Sequence, residues 1–525
     1  MPVITGIEKA TNGVTVTWDG PAGYYQLFKK AGLVGGTWQA AGTPNNKRKA
    51  TVSVTSTNAF FRVQGPAPQY AGAAVCAECH ANIHSAETLT PHAGALATLQ
   101  QAHQDTNPNC LPCHTVGYGL PSGFKSAVAT PTLAGVQCEN CHGPAGNHAA
   151  NPDDLTARPR VELAAQVCGG CHTGSRHPTF DEWKTSGHFQ VVEDMSPANR
   201  VESCGRCHSG SARLAMIQGK SALTVTNDAN VGLTCITCHD PHAQRAWTNV
   251  LSGVITTNQL RSAVASTNDY FLSTSDIFTN STLTVFTNSG SKILTNKYNA
   301  NINVCAQCHN HRGASWTSSS RPPHHSPQYN IMLGSVGELT NGPATFSPST
   351  HALQIEKQCV GCHMQEQEYQ SEAVPAVTGH SFRVESYQTC LQCHPFMPEL
   401  LVDFTAFVVT NRIQEVKGYL DQWALQKAPA AIQKYGALAW EYDFAGELSS
   451  PDGTLRGPVS STTPALDEQK YIPTNIMKAR YDLYLVLHDG SRGVHNPQFS
   501  ITLLETARTW VLQELGNSAA PSAKH

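Results

Sequence analysis

Hydrophobic and polar positions alternate early in the chain. Val14, Val16 and Trp18 are separated by threonines, Val52 and Val54 by Ser53, and Phe60-Phe61-Arg62-Val63 continues the pattern. Turn-forming runs divide these stretches at Asn12-Gly13, Asp19-Gly20-Pro21 and Thr43-Pro44-Asn45. The period of two predicts strands, and residues 1–65 read as a small β-sandwich-like module. Pro66-Ala67-Pro68 reads as the linker after it. Beyond residue 397 the period becomes helical. Ile413, Val416, Leu420 and Trp423 share one face, and Met477, Tyr481, Tyr484 and His488 share another. Asn496-Pro497 predicts the N-cap and first turn of a helix ending near Leu515. Residues 397–525 are therefore expected to form a helical domain. Between the two, residues 70–396 sustain neither period, so short helices joined by loops are expected. Within them, residues 243–304 are rich in Thr, Asn and Ser. There TLTVFTNSGSKILT (282–295) predicts a hairpin around Asn288-Ser289-Gly290 on a β-rich surface insertion. The fold class is mostly α with much irregular structure, plus the N-terminal β module.

Composition narrows the function. Lys+Arg (35) nearly balance Asp+Glu (38) in 525 residues, so no basic field favours nucleic acid or an anionic membrane. No apolar run is long enough to span a bilayer. The first residues lack a basic segment followed by an apolar one, and the chain reads as a mature or trimmed form without its signal peptide.

The cysteines define the chemistry. All 18 fall into Cys-x-x-Cys pairs: Cys76–Cys79, Cys110–Cys113, Cys138–Cys141, Cys168–Cys171, Cys204–Cys207, Cys235–Cys238, Cys305–Cys308, Cys359–Cys362 and Cys390–Cys393. Each pair is followed at once by a histidine: His80, His114, His142, His172, His208, His239, His309, His363 and His394. C-x-x-C-H is the attachment signature of c-type haem. The thiols add across the haem vinyl groups as thioethers, and the adjacent histidine becomes the proximal iron ligand. A disulfide framework or zinc ribbon does not require a histidine after every pair. A thioredoxin-like motif would occur once. Nine c-type haems are expected, at about 35 residues per haem, so the haems themselves must form much of the core. Thioether attachment takes place outside the cytoplasmic membrane, which implies a periplasmic or extracellular protein.

Fifteen of the 24 histidines remain. The terminal His525 is set aside. The other candidates for the sixth iron position are His84, His92, His103, His148, His177, His188, His242, His311, His324, His325, His351, His380, His488 and His495. They are numerous enough for every haem to be bis-histidine. No methionine has a convincing placement, although Met364 adjoins His363.

Several stretches resemble the multihaem cytochrome c superfamily that includes nitrifier tetrahaem cytochromes, pentahaem nitrite reductases and octahaem hydroxylamine oxidoreductases. They are CAECH with TPHAGAL (76–96), CLPCHTVGYG (110–119), GVQCENCHGPAGNH (135–148), EWKTSGH (182–188), CITCHDPH (235–242), GHSF (379–382) and DGSRGVHNPQF (489–499). The resemblance spans roughly residues 70–515. It implies that His92, His148, His188, His242, His380 and His495 are distal ligands. PHHSPQ (323–328) supplies another from His324 or His325, and His351 an eighth. For the ninth, His177 is favoured over His84, His103 and His311. The N-terminal module, with TNAFFRV, resembles fibronectin-type-III-like modules of secreted bacterial proteins. The pentahaem nitrite reductases of this superfamily carry a C-x-x-C-K motif, and none of the nine motifs here ends in lysine. Hydroxylamine oxidoreductases cross-link a tyrosine to haem. Tyr481 and Tyr484 are candidates by position, but core packing is the expected role.

Two functions follow. The first is electron transfer through a chain of bis-histidine haems, in a shuttle or a subunit of an extracellular cytochrome filament. Its partners would be redox proteins or an extracellular electron acceptor, with self-assembly into an oligomer or filament. The second is an oxidoreductase acting on a small nitrogen or sulfur compound at one open haem.

Overall fold

The computed structural model describes residues 2–190, 201–218, 232–248, 255–261, 284–287, 290–293, 304–344, 347–355, 359–449 and 463–516, less positions 12, 21–23, 33, 46, 55–57, 66, 162, 307 and 445. Asn12, Pro21, Pro66, Asn288, Ser289, His525 and much of the 243–304 insertion lie outside the described residues. Two compact units divide the chain. The first holds residues 1–246, 257–260 and 369–376, and the second 247–256, 261–368 and 377–525.

The first unit opens with β1 (Val3–Ala10), β2 (Gly13–Asp19), β3 (Gln26–Lys30), β4 (Gln39–Ala40), β5 (Lys49–Val52) and β6 (Phe60–Gln64). They make two antiparallel three-stranded sheets, ordered β1-β2-β5 and β4-β3-β6. Val16 and Trp18 on β2 face inward with Tyr25, Leu27 and Val52, so both sheets contribute to one small core. The remainder of the unit is short helices on or beside the cysteine motifs, including Ala81–Glu87, Ala95–Gln101, Cys138–His142 and Val201–His208. Glu139, inside the third motif, is buried, and its carboxylate accepts from the backbone amides of Ala71, Gly72 and Ala145. A buried carboxylate is tolerated where several amides satisfy it.

The second unit is built on three long helices, Pro398–Gln426, Thr474–Asp489 and Pro497–Leu515. Ile413, Val416, Leu420 and Trp423 form the buried stripe that their spacing predicts. Asn496 caps the last helix by accepting from Phe499 N, and Pro497 occupies the first turn, where no amide is needed. Tyr481 Oη donates to Ala314 O at 2.8 Å, and the Tyr484 hydroxyl donates to the Glu441 carboxylate. Both are satisfied core residues. Strands Thr284–Thr287 and Gly290–Ile293 pair antiparallel, Thr287 opposite Gly290.

Candidate haem-binding sites

Each motif closes one helical turn. The amide of the motif histidine donates to the carbonyl of the first cysteine at His80 (2.9 Å), His114 (3.2 Å), His172 (2.9 Å), His239 (2.9 Å), His309 (2.9 Å) and His394 (2.7 Å). His142, His208 and His363 end the helices Cys138–His142, Val201–His208 and Cys359–His363. Positions i, i+3 and i+4 of a helix lie on one side. Two thiols and one imidazole are thereby presented together, as attachment to one porphyrin edge with ligation of its iron demands.

Thiols of different motifs meet. Cys76 is hydrogen-bonded to Cys138, Cys113 to Cys171 and Cys168 to Cys235 in the first unit, and Cys305 to Cys359 in the second. The bond from Cys171 brings the Cys113 thiol down to about 7, while the same bond pushes Cys171 up. Groups attached at such neighbouring sulfurs must themselves be neighbours.

Five motif histidines face a second histidine across a similar gap. Ring centroids are separated by 6.0 Å for His172 and His92, 6.3 Å for His114 and His177, and 5.9 Å for His142 and His242. The separations are 6.5 Å for His394 and His351 and 6.2 Å for His363 and His495. A metal–imidazole bond is about 2.0–2.1 Å and a ring nitrogen lies roughly 1.1 Å from its centroid, so trans imidazoles on one metal have centroids about 6.2–6.4 Å apart. The five gaps lie within about 0.3 Å of that spacing, as two imidazoles that would hold one iron require. Burial lowers the imidazolium pKa of His92, His177, His351 and His363, favouring the neutral form that binds metal.

Several of the Nδ1 atoms are held by acceptors, as support of a ligating imidazole would require. His114 Nδ1 lies 2.8 Å from Ala95 O, His142 Nδ1 2.7 Å from Arg160 O, and His363 Nδ1 3.0 Å from Phe382 O. His351 Nδ1 lies 2.9 Å from Val494 O. A carbonyl only accepts, so the proton sits on Nδ1 and Nε2 is free to ligate. His495 is different: its Nδ1 lies 2.6 Å from the buried Asp489 carboxylate. Burial alone would lower its pKa, and Asp489 outweighs burial and raises it.

The other expected ligands have defined places. His148 lies on the helix Gly146–Ala150 and His188 on Gly187–Gln190. His380 Nδ1 lies 2.9 Å from Thr378 O. Gly379 before it has φ +73°, and a Cβ there would lie 2.4 Å from Met364 Cα, so only glycine allows this approach. His324 Nδ1 lies 3.1 Å from Ser326 Oγ, whereas His325 stacks on His488 with centroids 3.6 Å apart. His84 sits on the helix Ala81–Glu87, and His103 is exposed at φ +54°. His311 is buried and, with Arg312, Arg321 and His324, lines a cavity of about 300 Å³ just past the seventh motif. Asp489 and Arg160 were not anticipated as ligand supports. Asp489 left a trace, as a carboxylate six residues before His495; Arg160 holds His142 Nδ1 through its backbone carbonyl, which leaves none.

Residues 75–143 match the family described as cytochrome c554 and c-prime. The chain is 29% identical over 156 residues to multiheme cytochrome MtrA of Shewanella baltica (strain OS185), covering 26% of this chain and 45% of that protein. It is 31% identical over 93 residues to cytochrome c-554 of Nitrosomonas europaea, covering 15% of this chain and 40% of that one. The matches thus span less than half the length of either relative. Among solved structures, the outer cell wall cytochrome OcwA aligns over 84% of this chain and 99% of its own, with a TM-score of 0.49 and 18% identity. The helical-turn C-x-x-C-H motifs, the family match and the two cytochrome relatives in sequence support a multihaem c-type cytochrome. Within that class, residues 75–143 carry the cytochrome c554 and c-prime pattern. No helix among the described residues is long and apolar enough to cross a membrane.

Proposed function

We propose that this chain binds nine c-type haems, mostly or entirely bis-histidine, and passes electrons along them outside the cytoplasmic membrane. The observation that carries this reading is the set of five histidine pairs at 5.9–6.5 Å, in which a motif histidine faces one from elsewhere in the chain. The residues that would hold five of the irons are His172 with His92, His114 with His177, His142 with His242, His394 with His351, and His363 with His495. His148, His188, His380 and one of His324 and His325 are the remaining candidates, for the haems of His80, His208, His239 and His309. When bound, haem would supply a one-electron iron couple, which ligation by two imidazoles would hold at low potential without an open position. The chain orients His114, His142, His351, His363 and His495 through Nδ1, favours the neutral form of His92, His177, His351 and His363 by burial, and sets neighbouring motifs sulfur to sulfur. Its location follows from the thioether chemistry, and its partners are electron donors and acceptors, soluble or extracellular, including further copies in a filament.

The cavity beside Arg312, Arg321, His311 and His324 favours a second reading, in which one haem near the seventh motif is open to a small anion of nitrogen or sulfur. Intact mass after acid denaturation, with paramagnetic resonance of the native protein, tests both. Nine haems, all low-spin, support electron transfer. One high-spin haem supports the oxidoreductase, and fewer than nine haems overturns the count.

A further inference from the structure

Three ligand-type side chains converge in the second unit apart from the five pairs: His325, Glu447 and His488. Their ligand atoms all lie within 4.8 Å of one another. His488, in the last turn of Thr474–Asp489, is buried, with Nδ1 2.6 Å from the carbonyl of Pro323. That carbonyl accepts the Nδ1 proton, which turns Nε2 toward Glu447 Oε2, 3.0 Å away. His325 Nε2 reaches the same carboxylate oxygen at 3.8 Å. Two ring nitrogens near one carboxylate oxygen leave that oxygen's lone pairs facing theirs unless something positive lies between them, and the His325 ring, stacked on His488, has to turn to direct its nitrogen there.

A proton on His488 Nε2 would satisfy one contact with Glu447. It leaves the second histidine at the same oxygen without a role. A divalent cation uses all three groups at once. We propose that His325, Glu447 and His488 form a site for a divalent transition metal, with Zn²⁺ as the simplest occupant. Imidazole and carboxylate are the donors that suit such an ion. The Pro323 carbonyl does for His488 what a supporting acceptor does for a metal-bound imidazole. His325, with its side chain 42% exposed, supplies the route from solvent and can turn to complete the coordination. The ion would tie together the 323–325 loop, the short helix Glu447–Ser449 and the helix Thr474–Asp489. His325 then serves this site, and His324 is the member of the pair left for haem.

The test is titration of chelator-treated, haem-loaded protein with Zn²⁺, followed by calorimetry and by anomalous diffraction at the zinc edge. One ion per chain is expected at this cluster, and Glu447→Gln should weaken its binding at least tenfold while the haem spectrum is unchanged. His325→Gln, at an exposed position, should do the same and guards against misfolding of a His488 variant. Equal Zn²⁺ binding by wild type and Glu447→Gln, or an anomalous peak elsewhere, overturns the site and leaves a protonated His488–Glu447 pair. A low-spin haem turned high-spin in His325→Gln overturns it too, because His325 would then be a haem ligand.

Discussion

Arg160 Nη1 lies 3.0 Å from Asp19 Oδ2, and the carbonyl of the same arginine holds His142 Nδ1 at 2.7 Å. Arg160 Nε also donates to Cys141 O at 2.8 Å. One residue thus joins the last position of β2 to the third motif. The N-terminal module carries no cysteine or histidine, yet it neutralises a cation beside a proposed iron ligand.

Asp19→Asn should therefore leave every haem attached and move one redox midpoint upward. The uncompensated guanidinium disfavours the more positive, oxidised iron. Stability should fall by only about 1 kcal/mol, because the pair is partly solvated. Removal of residues 1–65 should reproduce the redox shift without loss of haem. Spectroelectrochemical titration with intact mass checks both, and unchanged midpoints would show that Arg160 acts through its carbonyl alone.

Asp489→Asn should also raise one midpoint. The carboxylate on His495 Nδ1 pushes electron density into the imidazole and favours oxidised iron. A difference of about 1 kcal/mol between oxidation states corresponds to roughly 40 mV for one electron. The shift should be absent from the double variant Asp489→Asn/His495→Ala if both residues act on the same haem.

What the sequence discloses and what it hides divides along locality. The C-x-x-C-H turns and the Asn496 cap are legible because their physics is complete within five residues. The stripes at Ile413–Trp423 and Tyr481–His488 are legible because a helix repeats. The supports of His114, His142 and His363 are backbone carbonyls 18 or 19 positions away. A carbonyl acceptor carries no side-chain signature, so only the folded chain exposes it. The two-residue β4 is hidden for a related reason, since two positions cannot display alternation.

Asn496→Ala should destabilise the second unit by more than an ordinary cap. Besides capping Phe499 N, the buried side chain donates to Ser347 O at 2.8 Å and Ile331 O at 3.2 Å. Loss of a cap costs about 1 kcal/mol, and orphaning buried acceptors adds about 1–3 kcal/mol. Denaturant unfolding of this variant beside Ser349→Ala, the cap of the short helix Thr350–Gln354, should rank Asn496→Ala well below it in stability.

Acid should loosen the contact at Glu468. Lys434 and then Tyr435 hold its carboxylate down to about 2, from an ordinary 4.5. A depressed carboxylate contributes stability above its unfolded value and loses it as pH falls through the folded one. The contribution is therefore complete above pH 4.5 and gone below about 2. Glu468→Gln should flatten that part of the stability profile and leave the neutral region nearly unchanged. An identical acid limb in the variant would assign the loss to other carboxylates.

His495 offers the sharpest test of the ligand set. It precedes a helix whose start is fixed by Asn496 and Pro497, its Nδ1 is held by Asp489, and its ring faces His363 at 6.2 Å. Neither the cap nor the buried carboxylate depends on the imidazole reaching iron, so His495→Ala should fold with its haems attached. With the sixth position vacated, the haem of His363 should become high-spin and bind carbon monoxide, while the others stay low-spin. Imidazole added in solution should restore the low-spin spectrum, which a merely unfolded region would not allow. A His495→Ala protein that remains low-spin throughout would remove this residue from the ligand set. The 6.2 Å gap would then be a packing distance, and the argument from ring separation would weaken for the other four pairs as well.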